Sequence, residues 1–450
     1  FLADRRGAER PNVLDVHDLF ATKRADKKTS QMAHLFSDEP YERLRRGNPT
    51  FFLTSPPRKI YRTERRREKE TASRKRDGHE METDHRIILG DARSMGDIGP
   101  EAVEFVVTSP PYPMIEMWDE CFIRMNPAIG EVLAAMDGWG AFELMHEELD
   151  KVWHECFRVL RPGSLICVNI GDAVRTLGDN FQMFCNQARI TLSMRRAGFV
   201  PLPDILWRKQ TNAPNKFMGS GMLPVGAYVT YEHEYILIFR KGGKRAFTGA
   251  EERANRRRSA FFWEERNRWF SDVWMDLKGT QQEMGDQAAR KRSAAYPFEL
   301  AYRLILMHSV YGDTVLDPFL GTGTTGRAAI AAARNSVGCE WDATLMPVIG
   351  NNMSALRPAL DRVLLRLSEH RAFMNERADN GSAAAHASAL YGFPVVSAQE
   401  RDIELYVPRR VTKSGAAFRA EHELARGDLP SATYGAPEQD ALPLFAHTDP

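Results

Sequence analysis

The sequence has few cysteines and no long apolar run. Its 450 residues include five cysteines, which are scattered and form neither a CxxC pair nor a Cys/His spacing of the kind that binds zinc. A disulfide-rich secreted scaffold is therefore excluded, no metal is expected, and the pattern favours a reduced cytoplasmic protein. No apolar stretch approaches the roughly 20 residues of a membrane span. The first ten residues, FLADRRGAER, are charged and lack the apolar segment of a secretory signal.

The chain also lacks an overall charge of either sign, since 61 Lys and Arg face 60 Asp and Glu. The distribution is uneven. Residues 1–80 carry 20 basic and 13 acidic residues, most densely over Arg58–Arg76, which indicates either a solvated arm or a basic arm near a polyanion. Residues 371–450 are rich in Ala, Ser, Gly and Pro, and we expect a weakly ordered tail there.

Between these ends, residues 81–370 have the pattern of an α/β domain. Short apolar runs that end in unusual residues are typical of parallel strands; they lie at 104–107, 164–170, 234–239, 314–316 and 336–339. Apolar residues from Phe142 to Leu160 recur every three or four positions, which predicts one helix face that ends at Arg-Pro-Gly (161–163). The alternation predicts a doubly wound, Rossmann-like sheet, in which ligands bind at the carboxyl ends of the strands.

One of these strands leads into a glycine-rich turn, in the segment TVLDPFLGTGTTGRAAIAAA. Gly321, Gly323 and Gly326 form GxGxxG, which allows a tight turn and a close backbone approach to a ligand. Glu340 ends the next apolar run, where its carboxylate can accept ribose hydroxyl groups. A nicotinamide or flavin site is the alternative. Asp317, just before the turn, favours the zwitterionic methionine end of S-adenosylmethionine, whose ammonium needs a carboxylate.

A second strand leads into Thr-Ser-Pro-Pro-Tyr-Pro (108–113). Two prolines stop the sheet and hold the backbone extended, with carbonyl groups that have no strand partner. The loop therefore presents the Ser109 hydroxyl, the Pro110 carbonyl and the Tyr112 ring, a set that suits the exocyclic amino group of a planar base. A proline-rich surface turn is the alternative interpretation of this segment taken alone.

Together the two motifs resemble those of the DNA amino-methyltransferases. Thr-Ser-Pro-Pro-Tyr is similar to the catalytic motif of the cytosine-N4 members, whereas the adenine-N6 members usually begin with Asp. The catalytic motif precedes the cofactor motif, as in the circularly permuted beta subgroup. The resemblance covers roughly 85–365 and extends to five further segments: ILGDARSM, RVLRPGSLICVNIGD, WRKQTNAPNKFM, YEHEYILIFRKG and SAAYPFELAYRLI.

The resemblance implies a role for each matching residue. Catalysis would rest on Ser109, Pro110, Pro111 and Tyr112. Cofactor binding would rest on Asp91, Pro297, Asp317, Pro318, Phe319, Gly321, Gly323, Thr324, Thr325 and Glu340. Within this set, Asp317 would hold the ammonium, Thr324 and Thr325 the carboxylate, and Glu340 the ribose. Asp91 is equally consistent with a turn cap. Asp172 is a candidate near the base pocket, with a simple turn as the alternative. Trp118 is a candidate for lining the base pocket, although core packing is the more common fate of a tryptophan.

The same residues indicate the chemistry. Ser109 Oγ and the Pro110 carbonyl would accept the amino hydrogens and localise the nitrogen lone pair, which then attacks the methyl group in line. Methylation at carbon 5 needs a Pro-Cys nucleophile, and no Pro-Cys occurs in this chain. Because the base is inaccessible in duplex DNA, it must be flipped out of the helix. The alternatives are an adenine-N6 methyltransferase and, from another class, a nicotinamide-linked oxidoreductase.

A basic and aromatic segment is the candidate for target recognition, within 240–292. Arginines alternate with aromatic residues there, a combination that suits phosphates and extruded bases; the predicted DNA-binding residues are Arg256, Arg257, Arg258, Arg266 and Arg268. An exposed helix pair with buried aromatic residues is the alternative.

The expected partner is double-stranded DNA in a bacterial or archaeal cell, near the nucleoid. A homodimer and a separately acting restriction nuclease are carried over from the resemblance. Gln439–Phe445 resembles peptides that dock on the bacterial sliding clamp, and packing against the catalytic domain is the alternative for that segment.

Overall fold

The computed structural model describes residues 80–209, 218–278, 296–382 and 384–426. The strands are β1 (Glu80–Leu89), β2 (Val103–Thr108), β3 (Leu160–Ile170), β4 (Ala173–Leu177), β5 (Asn180–Phe184), β6 (Phe199–Pro201), β7 (Ile205–Arg208), β8 (Met218–Gly219), β9 (Ala227–Tyr228), β10 (His233–Lys241), β11 (Val273–Trp274), β12 (Thr314–Asp317), β13 (Asn335–Glu340), β14 (His386–Ala387), β15 (Pro394–Val395), β16 (Tyr406–Ser414) and β17 (Ala417–Leu424).

The helices are α1 (Asp119–Met125), α2 (Ala128–Ala134), α3 (Gly138–Val159), α4 (Asn186–Arg196), α5 (Ala250–Arg258), α6 (Trp263–Trp269), α7 (Phe298–His308), α8 (Thr324–Ala331), α9 (Met346–Ser354) and α10 (Leu356–Asp379). Single 3-10 turns lie at Glu116–Trp118, Ala343–Leu345 and Ala398–Glu400. Within the described ranges, no helix combines the length and the apolar character needed to cross a bilayer.

A large sheet with a parallel centre organises the molecule. The strand order is β11-β7-β10-β3-β2-β12-β13-β1-β17-β16, and β6 also pairs with β10. The five strands from β3 to β1 run parallel to one another. In β2, Phe105 and Val107 pack with α7 and α10, whereas Val106 packs with α3 on the opposite face. Helices therefore cover both faces, which confirms the predicted α/β architecture and explains why the central strands are almost wholly apolar.

The strand predicted at 234–239 exists as β10, but its direction differs from the prediction. It pairs antiparallel with β3, with Tyr235 opposite Ile170. β7 in turn runs antiparallel to β10. The prediction of a parallel strand is wrong here because a strand buried on both faces has the same apolar pattern in either direction. As a consequence, the start of β10 lies beside the end of β3.

The long helix predicted over 142–160 is confirmed as α3. Asp137 caps its first turn by accepting a hydrogen bond from the Gly140 amide at 2.9 Å. The helix ends at Val159, and the Arg-Pro-Gly segment already belongs to β3. Gly163 has a φ of +86°, and a Cβ there would lie 2.6 Å from the backbone of Arg245. This glycine therefore allows the end of the helix to turn directly into a central strand.

The expectation of a weakly ordered tail from residue 371 is wrong for the described parts, 371–382 and 384–426. α10 continues to Asp379, and β16 and β17 form an antiparallel pair that extends the main sheet beside β1. Phe418 and Ala420 are buried with Ile87 of β1. The alternating apolar residues of these strands were hidden by a composition averaged over 80 residues. The segments Arg58–Arg76 and Gln439–Phe445 lie outside the described residues, as do 210–217 and 279–295.

Candidate active site

The central parallel strands all end at one edge of the sheet, called here the carboxyl edge. β2 ends beside Ser109, β12 ends at Asp317, and β13 ends at Glu340. β1 leads into Gly90 and Asp91, next to β13. Because neighbouring parallel strands end side by side, these residues converge although they are far apart in sequence. They line one pocket at this edge.

Most of the residues predicted to bind the cofactor or the base line this pocket: Asp91, Ser109, Pro111, Trp118, Asp317, Pro318, Phe319, Gly321, Thr324, Thr325 and Glu340. Four others are each adjacent in sequence to a lining residue: Pro110, Tyr112, Pro297 and Gly323. Sequence reasoning missed Arg93, Glu148, Tyr296 and Trp341, which line the same pocket. Pro297 itself is the N-cap of α7 and follows Tyr296 directly.

Asp317 is a buried carboxylate held by neutral donors. Thr108 Oγ1 donates to its Oδ1 at 2.7 Å, and the Phe319 amide donates to the same oxygen at 3.0 Å. The Tyr296 hydroxyl donates to Oδ2 at 3.2 Å, and the Thr325 hydroxyl also donates to Oδ2. Burial raises the pKa of Asp317, although these hydrogen bonds work in the opposite direction. Since none of the four described donors is a cation, a positively charged ligand group in the pocket would complete this site.

Glu340 and the glycine turn form the second anionic part of the pocket. The Gly321 amide donates to Glu340 Oε2 at 2.9 Å, and the Asp342 amide donates to Oε1 at 2.8 Å. Burial raises the pKa of Glu340. Gly323 begins α8 in the left-handed conformation, with a φ of +85°, and a Cβ there would lie 3.0 Å from Ile349. The turn thus needs glycine, and it holds the carboxylate beside the pocket.

Asp91 is engaged by a cation, unlike Asp317. Arg93 Nη2 lies 2.7 Å from Asp91 Oδ2, and Arg93 Nη1 lies 2.5 Å from Glu148 Oε2. The Arg93 amide also donates to Asp91 Oδ1 at 2.8 Å, which is the turn-capping geometry left open by the sequence. Burial acts to raise the pKa of Asp91, but the hydrogen bonds and charge of Arg93 outweigh it and lower that pKa. Asp91 therefore lines the pocket as one half of an ion pair.

Tyr112 links the proline-rich loop to two residues from neighbouring strands. Ser109 Oγ donates to the Tyr112 hydroxyl at 3.2 Å, and that hydroxyl donates to Glu234 Oε2 at 3.0 Å. Asn169 Nδ2 donates to the Tyr112 hydroxyl at 2.8 Å and to Glu234 Oε2 at 2.7 Å. Lys209 Nζ lies 2.8 Å from Glu234 Oε1. Burial, followed by the charge of Glu234, raises the pKa of Tyr112 well above its ordinary value, so the phenol keeps its proton.

Glu234 and Asn169 were not singled out by sequence reasoning, although a signal for each exists. Asn169 is a polar residue in the otherwise apolar run SLICVNI, and Glu234 lies at the start of the run EYILIF. The antiparallel pairing of β10 with β3 brings the two side chains together. A polar residue inside a strand that is buried on both faces needs a hydrogen-bond partner, so such residues are candidates for a site.

The arginines predicted to contact DNA do not lie at this pocket. Arg257 pairs with Asp402, Arg258 pairs with Glu251, and Arg268 pairs with Glu369. Arg256 lies over the ring of Phe247, and Arg266 over that of Phe270. Of the aromatic residues in this segment, Phe262, Trp269 and Trp274 are buried, whereas Trp263 and Phe270 are exposed. This arrangement agrees in part with the alternative interpretation, a helix pair with buried aromatic residues.

The position of α5 explains the separation. Asn255 donates to the carbonyl oxygen of Tyr311 at 2.7 Å, and the Tyr311 amide donates to Ser259 Oγ at 2.9 Å. Tyr311 lies just before β12 begins, at the edge of the sheet where the central strands start, called here the amino edge. The end of α5, with Arg256–Arg258, is therefore at the edge opposite the pocket.

Comparison with known proteins finds one matching family and several similar chains. Residues 103–350 match the DNA methylase family, N6_N4_Mtase. Over 335 residues the chain is 51% identical to the type II methyltransferase M.MthZI of Methanothermobacter thermautotrophicus, covering 74% of this chain and 93% of that protein. Over 281 residues it is 48% identical to the type II methyltransferase M.MjaI of Methanocaldococcus jannaschii, covering 60% and 91%. The structure of a Thermus thermophilus protein in complex with S-adenosyl-L-methionine has 31% identity to this chain and a TM-score of 0.47, covering 60% of this chain and 93% of that protein.

Proposed function

The chain belongs to the DNA methylase family, and on that premise we propose that it methylates the exocyclic N4 of cytosine in a specific DNA sequence. The observation that supports transfer to an exocyclic amino group is the hydrogen-bond direction at Ser109. Its hydroxyl donates to Tyr112, so its lone pairs are left to accept a hydrogen from an amino group. Serine at this position is the feature that resembles the cytosine-N4 members.

S-adenosyl-L-methionine is the proposed cofactor, and the pocket fits its charges. When bound, it would supply an electrophilic methyl group on a sulfonium, whose sulfur–methyl bond breaks in the transfer and leaves a neutral thioether. Asp317 would hold the ammonium group, because its described partners are neutral donors that leave its charge uncompensated. Glu340 would accept the ribose hydroxyls with the lone pairs that its two backbone donors leave free. Thr324, at the start of α8, would bind the carboxylate, while the Thr325 hydroxyl is used by Asp317.

The proline-rich loop positions the base. Ser109 Oγ and the Pro110 carbonyl accept the amino hydrogens, which favours a pyramidal nitrogen with an available lone pair. The Tyr112 ring stacks on the base, and its hydroxyl is held by Asn169 and Glu234. Gly171 allows this placement, since a Cβ there would lie 3.2 Å from Tyr112 Cε2. These contacts fix the loop before the reaction, so catalysis is mainly positioning and electrostatics.

Glu234 is the final acceptor of the proton that the amino group loses in this proposal. As the nitrogen–methyl bond forms, the nitrogen becomes cationic and must lose one hydrogen. Ser109 Oγ takes that hydrogen while its own hydrogen passes to the Tyr112 oxygen, and the Tyr112 hydrogen passes to Glu234 Oε2. The described donor–acceptor chain runs in this direction. Tyr112 gives up one hydrogen and receives another, so it ends the step protonated.

The DNA partner follows from the family, and finer features extend the proposal. The target base must leave the duplex to reach Ser109, at an unstacking cost of a few kcal/mol. As the relatives are named type II methyltransferases, we place this chain in a restriction–modification pair with a separate nuclease. The permuted motif order, a homodimer and clamp docking through Gln439–Phe445 are further proposals. Sedimentation would test the dimer, and titration of a tail peptide against a clamp would test the docking.

Product analysis tests the proposal directly. The protein is incubated with unmethylated DNA and labelled S-adenosyl-L-methionine, and the DNA is digested to nucleosides and analysed by mass spectrometry. N4-methylcytosine is the expected product. N6-methyladenine would replace the cytosine assignment with the adenine one, which the family also accommodates, and no methylated base would overturn both. The family match leaves the nicotinamide-linked oxidoreductase without support. Sequencing of the methylated DNA would give the recognition sequence.

A further inference from the structure

The hairpin of β8 and β9 exposes an apolar tip. Met222 is 84% exposed, Leu223 is 69% exposed and Val225 is 99% exposed. These three residues are called the hairpin tip below. Gly219 and Gly221, with φ values of +67° and +65°, shape the chain that leads to it. A group of apolar side chains exposed to water indicates a surface that binds another molecule.

The tip is joined to the catalytic loop by a short series of contacts. Tyr228 of β9 stacks on Phe181 of β5, with ring centroids 4.9 Å apart and an interplanar angle of 18°. The Tyr231 hydroxyl donates to Asp172 Oδ2 at 3.0 Å. Asp172 follows Gly171, the residue against which the Tyr112 ring packs. The hairpin therefore borders the carboxyl edge beside the proposed base site.

We propose that the hairpin tip is a wedge that inserts into the DNA stack next to the target base and stabilises the extruded state. This inference rests on the proposed function. Flipping leaves a gap in the duplex, and apolar side chains such as Met and Leu commonly fill or open such steps. The Phe181–Tyr228 pair is itself partly exposed and offers an aromatic face to a displaced base. In this proposal the DNA contacts both the hairpin tip and the Phe181–Tyr228 pair.

A second copy of the chain is the competing occupant of this surface. The position of the tip favours DNA, because a wedge must lie beside the loop that receives the base, whereas a dimer face has no such requirement. Arg208 and Lys209, at the end of β7, lie at the same edge and about half of each side chain is exposed. Both side chains pair with glutamates, so we assign them to the rim of the surface, where phosphates pass, and not to its centre.

The test uses duplexes that differ only in how firmly the target base is held. One duplex contains the recognition sequence found by sequencing; the other carries the same target base opposite an abasic site, which makes extrusion easier. The triple variant Met222→Ser, Leu223→Ser, Val225→Ser should lose about ten-fold or more in transfer rate on the paired duplex and less than about two-fold on the abasic one. Fluorescence of 2-aminopurine at the target position should show less extrusion in the paired duplex.

A matched control uses the same chemical change at an unrelated exposed site. Leu365 on α10 is 46% exposed, and Leu365→Ser should leave both rates unchanged. Cofactor affinity of the triple variant should equal that of the wild type, which shows that the fold is intact. Equal losses on the two duplexes, or no loss on either, would overturn the wedge. Equal losses with a change from dimer to monomer in sedimentation would assign the surface to a second copy instead. Absence of any methylated base in the product analysis, which precedes the design of the duplexes, would instead refute the proposed function itself.

Discussion

The two edges of the central sheet carry similar charged residues, but the partners of those residues differ. At the amino edge, acidic and basic side chains are paired with each other, as in Arg245 with Asp313 and Arg161 with Glu104. At the carboxyl edge, Asp91 and Glu234 are also paired with cations, but Asp317 and Glu340 are buried and bound by neutral hydroxyl or backbone donors. Paired charges stabilise the junctions between elements, whereas a buried carboxylate without a cation is prepared for a ligand. Among the buried carboxylates, the described partners therefore distinguish the two that are proposed to bind the cofactor from Asp313, which pairs within the fold.

The largest effect should come from Ser109→Ala at the carboxyl edge. Loss of the hydroxyl removes an acceptor for the amino group, and we expect the rate of methyl transfer to fall about 10²–10³-fold. Single-turnover kinetics with labelled cofactor would measure it, and cofactor affinity should be unchanged. Ser368→Ala on α10, a helix remote in sequence from the loop, is the control and should keep the wild-type rate. A rate near that of the wild type for Ser109→Ala would remove the proline-rich loop from the mechanism.

The next effect concerns Asp317→Asn, compared with Asp313→Asn at the amino edge. Both aspartates are buried, but only Asp317 lines the pocket. We expect cofactor affinity to fall about a hundred-fold for Asp317→Asn, because a charged hydrogen bond is lost. Asp313→Asn should instead lower thermal stability, since it breaks the pair with Arg245, and leave affinity unchanged. Calorimetry and thermal unfolding measure the two quantities, and equal losses of affinity in both variants would contradict the comparison.

Asp317 also predicts a pH dependence. Its pKa is raised by burial, so protonation removes the charge at a higher pH than for an ordinary aspartate. Cofactor affinity should therefore decrease as the pH falls through this raised pKa. The same shift means that the ionised carboxylate costs folding stability, a cost that appears as the pH rises from the ordinary value, 3.8, through the raised pKa. In Asp317→Asn the corresponding part of the affinity profile should be flat.

A smaller effect is expected for Glu234→Gln, which keeps the shape of the side chain but removes the terminal proton acceptor. The transfer rate should fall roughly ten- to a hundred-fold, with cofactor affinity retained. Glu232→Gln, two residues away and paired with the exposed Arg208, is the matched control. The pH profile of the single-turnover rate distinguishes a proton acceptor from a residue that only positions Tyr112. An unchanged profile with a slower rate would limit Glu234 to positioning.

The smallest effect is predicted at the amino edge, for the triple change of Arg256, Arg257 and Arg258 to Gln. DNA affinity and transfer rate should stay within about two-fold, with the salt dependence unaltered, because these side chains lie opposite the pocket. Each lost ion pair should cost about 0–1 kcal/mol of stability. Salt titrations of DNA binding measure the outcome. A salt dependence flattened by about three phosphate contacts would return these arginines to the DNA surface and contradict the contrast between the edges.

Sequence reasoning located the parts of the site that are contiguous in the chain. The proline-rich loop, Asp317, the glycine turn and Glu340 each follow an apolar run, and a run that ends in special residues marks the end of a strand. The direction of β10 and the ordered strands β16 and β17 were missed. Their apolar patterns are short, and direction or pairing depends on which distant segment covers each strand.

The sequence by itself determined the α/β class, the positions of the two central motifs and the residue types that we propose to bind a base and a cofactor. Only the tertiary structure decided which charges are compensated. Thr108 and Asp317, hydrogen-bonded to each other, are 209 residues apart, and Tyr112 and Glu234 are 122 apart. It also decided that Arg256–Arg258 lie at the amino edge, although their composition suits DNA. The physical reason is that local pattern reports burial and backbone shape, whereas hydrogen-bond partners depend on which strands the completed sheet places side by side.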